Sequence, residues 1–152
     1  MATATQSRAN RRTEPVRGLE SAQWLYAQYF DPGFTQAVEG ELDRLSHLPA
    51  NWDGYGAPKI AAEIIDAARR FIRALPENLA YRPRVVPMSP GNLQFEWHHG
   101  SKVLELEFET AQTIHFLQWD PEHSIEEEDT FPSTNIERAV DLIQWFMSGT
   151  LA

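Results

Sequence analysis

The chain has 152 residues, 42% hydrophobic and 11% aromatic, with five Trp and no Cys, which predicts one soluble, cytoplasmic domain and excludes disorder, disulfides and thiolate chemistry. No run approaches the roughly 18 apolar residues that a membrane-spanning helix needs, so no membrane partner is expected. The net charge of −9 divides into a basic start, with Arg8, Arg11, Arg12 and Arg17 against Glu14, and a remainder of nine basic and twenty-one acidic residues; that acidic body speaks against nucleic-acid binding and fits either ordinary solubility or a basic protein partner.

Residues 1–17 have no periodicity and are read as a disordered basic tail, leaving residues 18–152 as a single domain. Ser21 to Phe30 is helix-like, and Asp31-Pro32-Gly33 breaks it. The spacing of Phe34, Val38, Leu42 and Leu45 predicts a second helix to about His47. The loop Asn51-Trp52-Asp53-Gly54-Tyr55-Gly56-Ala57-Pro58 follows, rich in residues that turn the backbone. In it, Trp52 and Tyr55 are expected to anchor the junction against the core. A long helix is predicted from Pro58 to Leu75, with Ile60, Ile64, Ala67, Phe71 and Leu75 on one stripe and Ala61, Ile65, Ala68 and Ile72 beside it. Arg69, Arg70 and Arg73 near its end read as a solvated face.

Beyond Pro76 the period changes to two. Arg84–Met88 is a candidate strand, confined to an edge by its prolines. Leu93, Phe95 and Trp97 alternate with Gln94, Glu96 and His98, while Leu104, Leu106 and Phe108 alternate with Val103, Glu105 and Glu107. Gly100 between these runs predicts a hairpin whose parity puts both apolar sets on one face. A turn at Thr110-Ala111-Gln112 leads to a third strand, Thr113–Trp119, with Ile114 and Phe116 toward the core. Asp120–Asp129 reads as an acidic loop. Thr134-Asn135-Ile136-Glu137 fits a capping box opening a last helix to about Ser148. The predicted fold is α+β: an antiparallel meander of three or four strands packed against helices, with an N-terminal helical segment and a C-terminal helix alongside.

The second sheet face is mixed, with Glu96, His98, Val103, Glu105, Glu107, His115, Leu117 and Trp119, whereas a merely solvated face would be polar throughout. It is either covered by another segment or used by a partner. Imidazoles and carboxylates at this spacing resemble metal ligands only loosely, no recognised metal or catalytic motif is present, and no cofactor or metal is expected.

The loop Asn51–Ala57, preceded by Leu45 and Leu48 and followed by Leu93-Gln94-Phe95-Glu96-Trp97 and Leu104-Glu105-Leu106-Glu107-Phe108, resembles a group of small uncharacterised bacterial proteins that pair an NWDGYGA loop with an LEW…LEIEI hairpin. The resemblance spans roughly residues 42–119. It implies an architecture and a bacterial origin, and no chemistry; a place in mobile-element or toxin–antitoxin biology would be in character by analogy.

Two functions compete. The first is a non-enzymatic binding or regulatory protein that contacts another protein through Trp119, Leu117, Glu105, Glu107, His115 and Trp145, with Asn51, Trp52, Asp53, Gly54, Tyr55 and Gly56 as a structural loop. The rival is a small hydrolase or metal-dependent enzyme using Asp53, Glu96 and His115, which requires those three side chains to converge around a pocket.

Overall fold

Period-two alternation becomes a five-stranded sheet in the computed structural model, which describes residues 33–79 and 81–149. Strands β1 (Arg84–Met88), β2 (Asn92–His99), β3 (Lys102–Phe108), β4 (Thr113–Asp120) and β5 (Ile125–Pro132) lie in chain order, each antiparallel to the next. Helices α1 (Phe34–Ser46), α2 (Ala62–Ala74) and α3 (Ile136–Met147) complete the α+β fold. The basic tail and the Ser21–Phe30 helix predicted from sequence lie outside the described residues. No helix among the described residues is long and apolar enough to cross a membrane.

The register explains the core. Leu93, Phe108, Ile114 and Phe131 form one cross-strand row, and Phe95, Leu106 and Phe116 the next, all buried. Phe71 of α2 reaches this face, its ring 6.0 Å from Phe95 and edge-on to Phe108 at 5.5 Å. Ile143 and Phe146 of α3 and Phe34, Val38, Leu42 and Leu45 of α1 join the same cluster. Each ring pair of this kind adds about 1 kcal/mol beyond its area burial. Of the arginines expected on a solvated face of α2, Arg70 and Arg73 are exposed, while Arg69 lies 3.7 Å from Asp43 of α1 and Arg73 also bonds Glu39 of α1.

The hairpin turns as expected, with His99 paired to Lys102 and Gly100 at φ 58 in the two-residue loop. The β3–β4 turn also keeps the expected parity, and Thr110 Oγ1 accepts from the amides of Gln112 and Thr113. β1 is an edge strand, as its prolines require.

Four expectations are corrected. Much of the acidic segment expected as a loop is β5, which pairs with β4 from Asp120↔Ile125 to Thr113↔Pro132 and makes the sheet five-stranded. An edge strand exposes much of its surface, so the carboxylates of Glu126, Glu127, Glu128 and Asp129 stay in water and deter further pairing. Helix α2 begins at Ala62, not Pro58, because Ala61 is extended and its amide donates to Gly91 O at 3.0 Å across the β1–β2 turn. Asn135, not Thr134, caps α3, its side chain accepting from Arg138 N. Tyr55 does not anchor the loop: it is 94% exposed, and Trp52, half-buried, donates through Nε1 to Pro58 O.

The loop holds its shape from within. Asn51 N bonds Ala57 O, Asn51 Oδ1 accepts from Gly56 N, and Asp53 Oδ1 accepts from the amides of Tyr55 and Ala57 at 2.8 and 3.0 Å. Asn51, Gly54 and Gly56 all carry positive φ. The segment is thus closed by polar side chains rather than by aromatic burial.

Candidate functional site

Side chains that alternate with the core residues populate the other face of the sheet. Its rows follow from the register: Gln94, Glu107, His115 and Thr130; Glu96, Glu105, Leu117 and Glu128; His98, Val103, Trp119 and Glu126. Strand pairing thus gathers carboxylates, imidazoles and apolar side chains on a rigid scaffold. Val103 is buried, Leu117 half-buried and Trp119 43% exposed. The two residues on which a partner surface depends therefore differ, with Trp119 presenting the larger open apolar area.

Around this apolar strip the polar groups pair locally. His115 Nε2 lies 3.4 Å from Glu128 Oε2, and Asn92 Nδ2 is 3.4 Å from Glu107 Oε1. Buried Gln94 donates from Nε2 to Glu96 Oε1 at 2.9 Å, leaving Glu96 Oε2 beside His98 Nε2 at 3.5 Å and Arg84 Nη1 at 3.7 Å. Glu105 stands directly across from Glu96, a like-charged pair that a sheet does not favour. Burial lifts the Glu105 carboxyl above its ordinary value, the charge of Glu96 and then that of Glu107 push the same way, and His98 and His115 oppose them.

Of the residues expected to bind a partner, Trp119, Leu117, Glu105, Glu107 and His115 share this face, but Trp145 does not. Trp145 is half-buried on α3, on the helix side, where Lys102 Nζ sits 4.6 Å from its ring centroid. Lys102 also donates to the carbonyls of Trp145 and Ser148, at 2.8 and 2.7 Å, and so ends α3 with a cation where the helix dipole favours one. Periodicity placed Trp145 off its helix's core stripe, and the structure shows that position serving α3's own terminus.

The three residues of the enzymatic rival are not brought together. Asp53 turns its carboxylate into its own loop, and those backbone hydrogen bonds, Tyr55 first and Ala57 second, lower its pKa. Glu96 and His115 lie on β2 and β4 with β3 between them and one row apart in register, about 12 Å from two strand spacings and a two-residue offset. The clefts of about 520 Å³ beside Phe71 and Ile136, and of about 300 Å³ beside Lys102 and His123, are lined by none of the three.

Sequence reasoning missed Gln94 as an orienting group and Glu126 and Glu128 as members of the face. The second omission follows from reading residues 120–129 as a loop; the acidic run between Ile125 and Phe131 shows no apolar alternation that would mark a strand. What fold and site define together is an antiparallel α+β domain with one sheet face packed by helices and the other bearing an acidic, Trp-containing surface. No family model, no curated protein and no solved structure matches the chain.

Proposed function

We propose that this chain is a non-enzymatic protein-binding or regulatory module that uses the outer face of its sheet to hold a basic segment of another protein. The observation carrying this reading is Trp119, 43% exposed beside half-buried Leu117 on a face whose next strand presents Glu126 and Glu128. A large amphipathic ring within an acidic surround suits a partner with Lys or Arg next to apolar side chains: the ring supplies contact area and a cation–π surface, and the carboxylates supply attraction and register. By analogy with other small acidic proteins, such a role would be in character in a mobile-element or toxin–antitoxin setting. In this reading the Asn51–Pro58 loop supports the fold and Asp53 has no catalytic task.

The test is capture of partners from an extract of the native host by the full chain, read by mass spectrometry, beside Trp119→Ala and the double reversal Glu126→Lys, Glu128→Lys. A basic protein retained by the wild type should be lost from both variants. A hot-spot tryptophan should account for about 2 kcal/mol, roughly thirtyfold in Kd. The reading fails if the two variants retain the same proteins as the wild type. It also fails if Trp119→Ala unfolds the chain, since the ring would then serve the fold.

A further inference from the structure

We propose that Glu96, His98 and Glu105 form a binding site for a divalent transition-metal ion of the zinc class. The site lies on the same outer face but does not rest on the partner-binding reading. One ligand atom from each residue lies within 4.8 Å of the other two. Around a tetrahedral zinc ion with bonds of about 2.0–2.1 Å, neighbouring donor atoms are about 3.4 Å apart. His98 Nε2 and Glu96 Oε2 already stand at 3.5 Å. With the widest separation at most 4.8 Å, closing the third ligand onto an ion takes at most about 1.4 Å of side-chain movement.

Strand geometry creates the arrangement. Glu96 and His98 are two residues apart on β2 and so point to the same face, while Glu105 of β3 sits directly opposite Glu96. Both strands are interior to the sheet, which holds the donors more firmly than a loop would. Gln94 occupies Glu96 Oε1, so the other oxygen is the one turned toward the imidazole, as outer-shell groups turn ligating carboxylates. Val103, opposite His98, and Leu117, opposite Glu105, supply an apolar wall that limits water on one side.

Charge sets this trio apart from an ordinary acidic patch. The Glu105 carboxylate receives no hydrogen bond and no ion pair among the described residues, although it is half-buried against Glu96. Arg84 approaches only Glu96, and its side chain is 76% exposed. A cation between the two carboxylates would relieve that repulsion. Two carboxylate oxygens with one imidazole nitrogen make a borderline donor set, which favours zinc and its neighbours over calcium or magnesium with their all-oxygen shells. Three protein ligands leave a fourth position, on the open side of the face, for water or for a donor from a partner.

The test titrates the chelator-treated full chain with Zn²⁺ by calorimetry and with Co²⁺ by visible absorption, metal ion alone being the probe. The expected result is one saturable site per chain, with Co²⁺ bands of a low-coordinate nitrogen–oxygen site. Glu105→Gln and His98→Gln should each weaken binding at least tenfold or so, the scale set by losses at supporting residues. His123→Gln, on the helix side beside Asp120, should leave binding unchanged. Where Glu105→Gln fails to fold, the metal-dependent rise in Tm of the wild type must disappear in His98→Gln. The proposal is overturned by the absence of saturable binding at millimolar metal, or by affinities that Glu105→Gln and His98→Gln leave at the wild-type value.

Discussion

Gly91 joins the loop-bearing segment to the sheet, and replacing it with alanine measures that junction. It lies in the β1–β2 turn at φ 112, its carbonyl accepts from Ala61 N at 3.0 Å, and an added Cβ would stand 3.0 Å from the backbone oxygen of Lys59 and 3.7 Å from Pro58 Cγ. A non-glycine residue held in such a region costs about 1–3 kcal/mol. The Lys59 oxygen belongs to the backbone and cannot swing aside, so relief must come from moving residues 58–61 and weakening the Ala61–Gly91 hydrogen bond, worth about 1 kcal/mol. Together these give about 3 kcal/mol, and at about 2–4 °C per kcal/mol for a chain of this length Tm should fall by roughly 6–12 °C. Gly54→Ala is the internal control: φ is 78 there, but nothing lies within 4 Å of an added Cβ, so only the backbone strain of about 1–2 kcal/mol applies. Thermal unfolding followed by circular dichroism gives both values. If Gly91→Ala melts within about 2 °C of the wild type, or no lower than Gly54→Ala, the close approach has no energetic weight and the reasoning fails.

Asp53→Ala should lower Tm at neutral pH because it removes the acceptor shared by the amides of Tyr55 and Ala57. The carboxyl's folded pKa is lowered from 3.8, so its contribution is present above that value and lost as pH falls through the folded pKa; wild type and variant should converge in acid, and a gap that persists there would contradict the assignment. Lys102→Met keeps the aliphatic stem but removes the cation from the carbonyls of Trp145 and Ser148 and from the neighbourhood of buried Asp120. Loss of these partly exposed charged hydrogen bonds should destabilise the chain by about 1–3 kcal/mol in urea unfolding, whereas a Lys102→Arg variant should recover part of it. An unchanged urea midpoint in Lys102→Met would show that α3 does not depend on this cap.

Much of the architecture follows from local pattern. The odd-numbered apolar set of β2 and the even-numbered set of β3 meet on one face because a two-residue loop fixes their parity, and the same counting places Ile114 and Phe116 in the core. Helical stripes such as Phe34, Val38, Leu42 and Leu45 are likewise buried as their spacing implies. The exceptions arise where a neighbour overrides the pattern. The run Glu126 to Asp129 has low strand propensity and becomes a strand because β4 offers an unpaired edge. Pro58 reads as a helix start, yet the amide of Ala61 goes to Gly91 across the chain and delays α2.

The candidate site divides in the same way. By itself the sequence determined that Glu96, His98, Glu105, Glu107, His115, Leu117 and Trp119 share one face, because a side chain's face depends only on its parity along a strand. It also determined that Asn51 to Gly56 form a turning structure, because the φ values demanded there favour glycine and asparagine. Only the tertiary structure decided that Trp145 lies on the helix side beneath Lys102, that Asp53 spends its carboxylate within its own loop, and that the Glu105 carboxylate has no donor among the described residues while facing Glu96 and His98. Those outcomes depend on what each element packs against and on angstrom-scale distances between strands. Neither is encoded in the periodicity of any one segment.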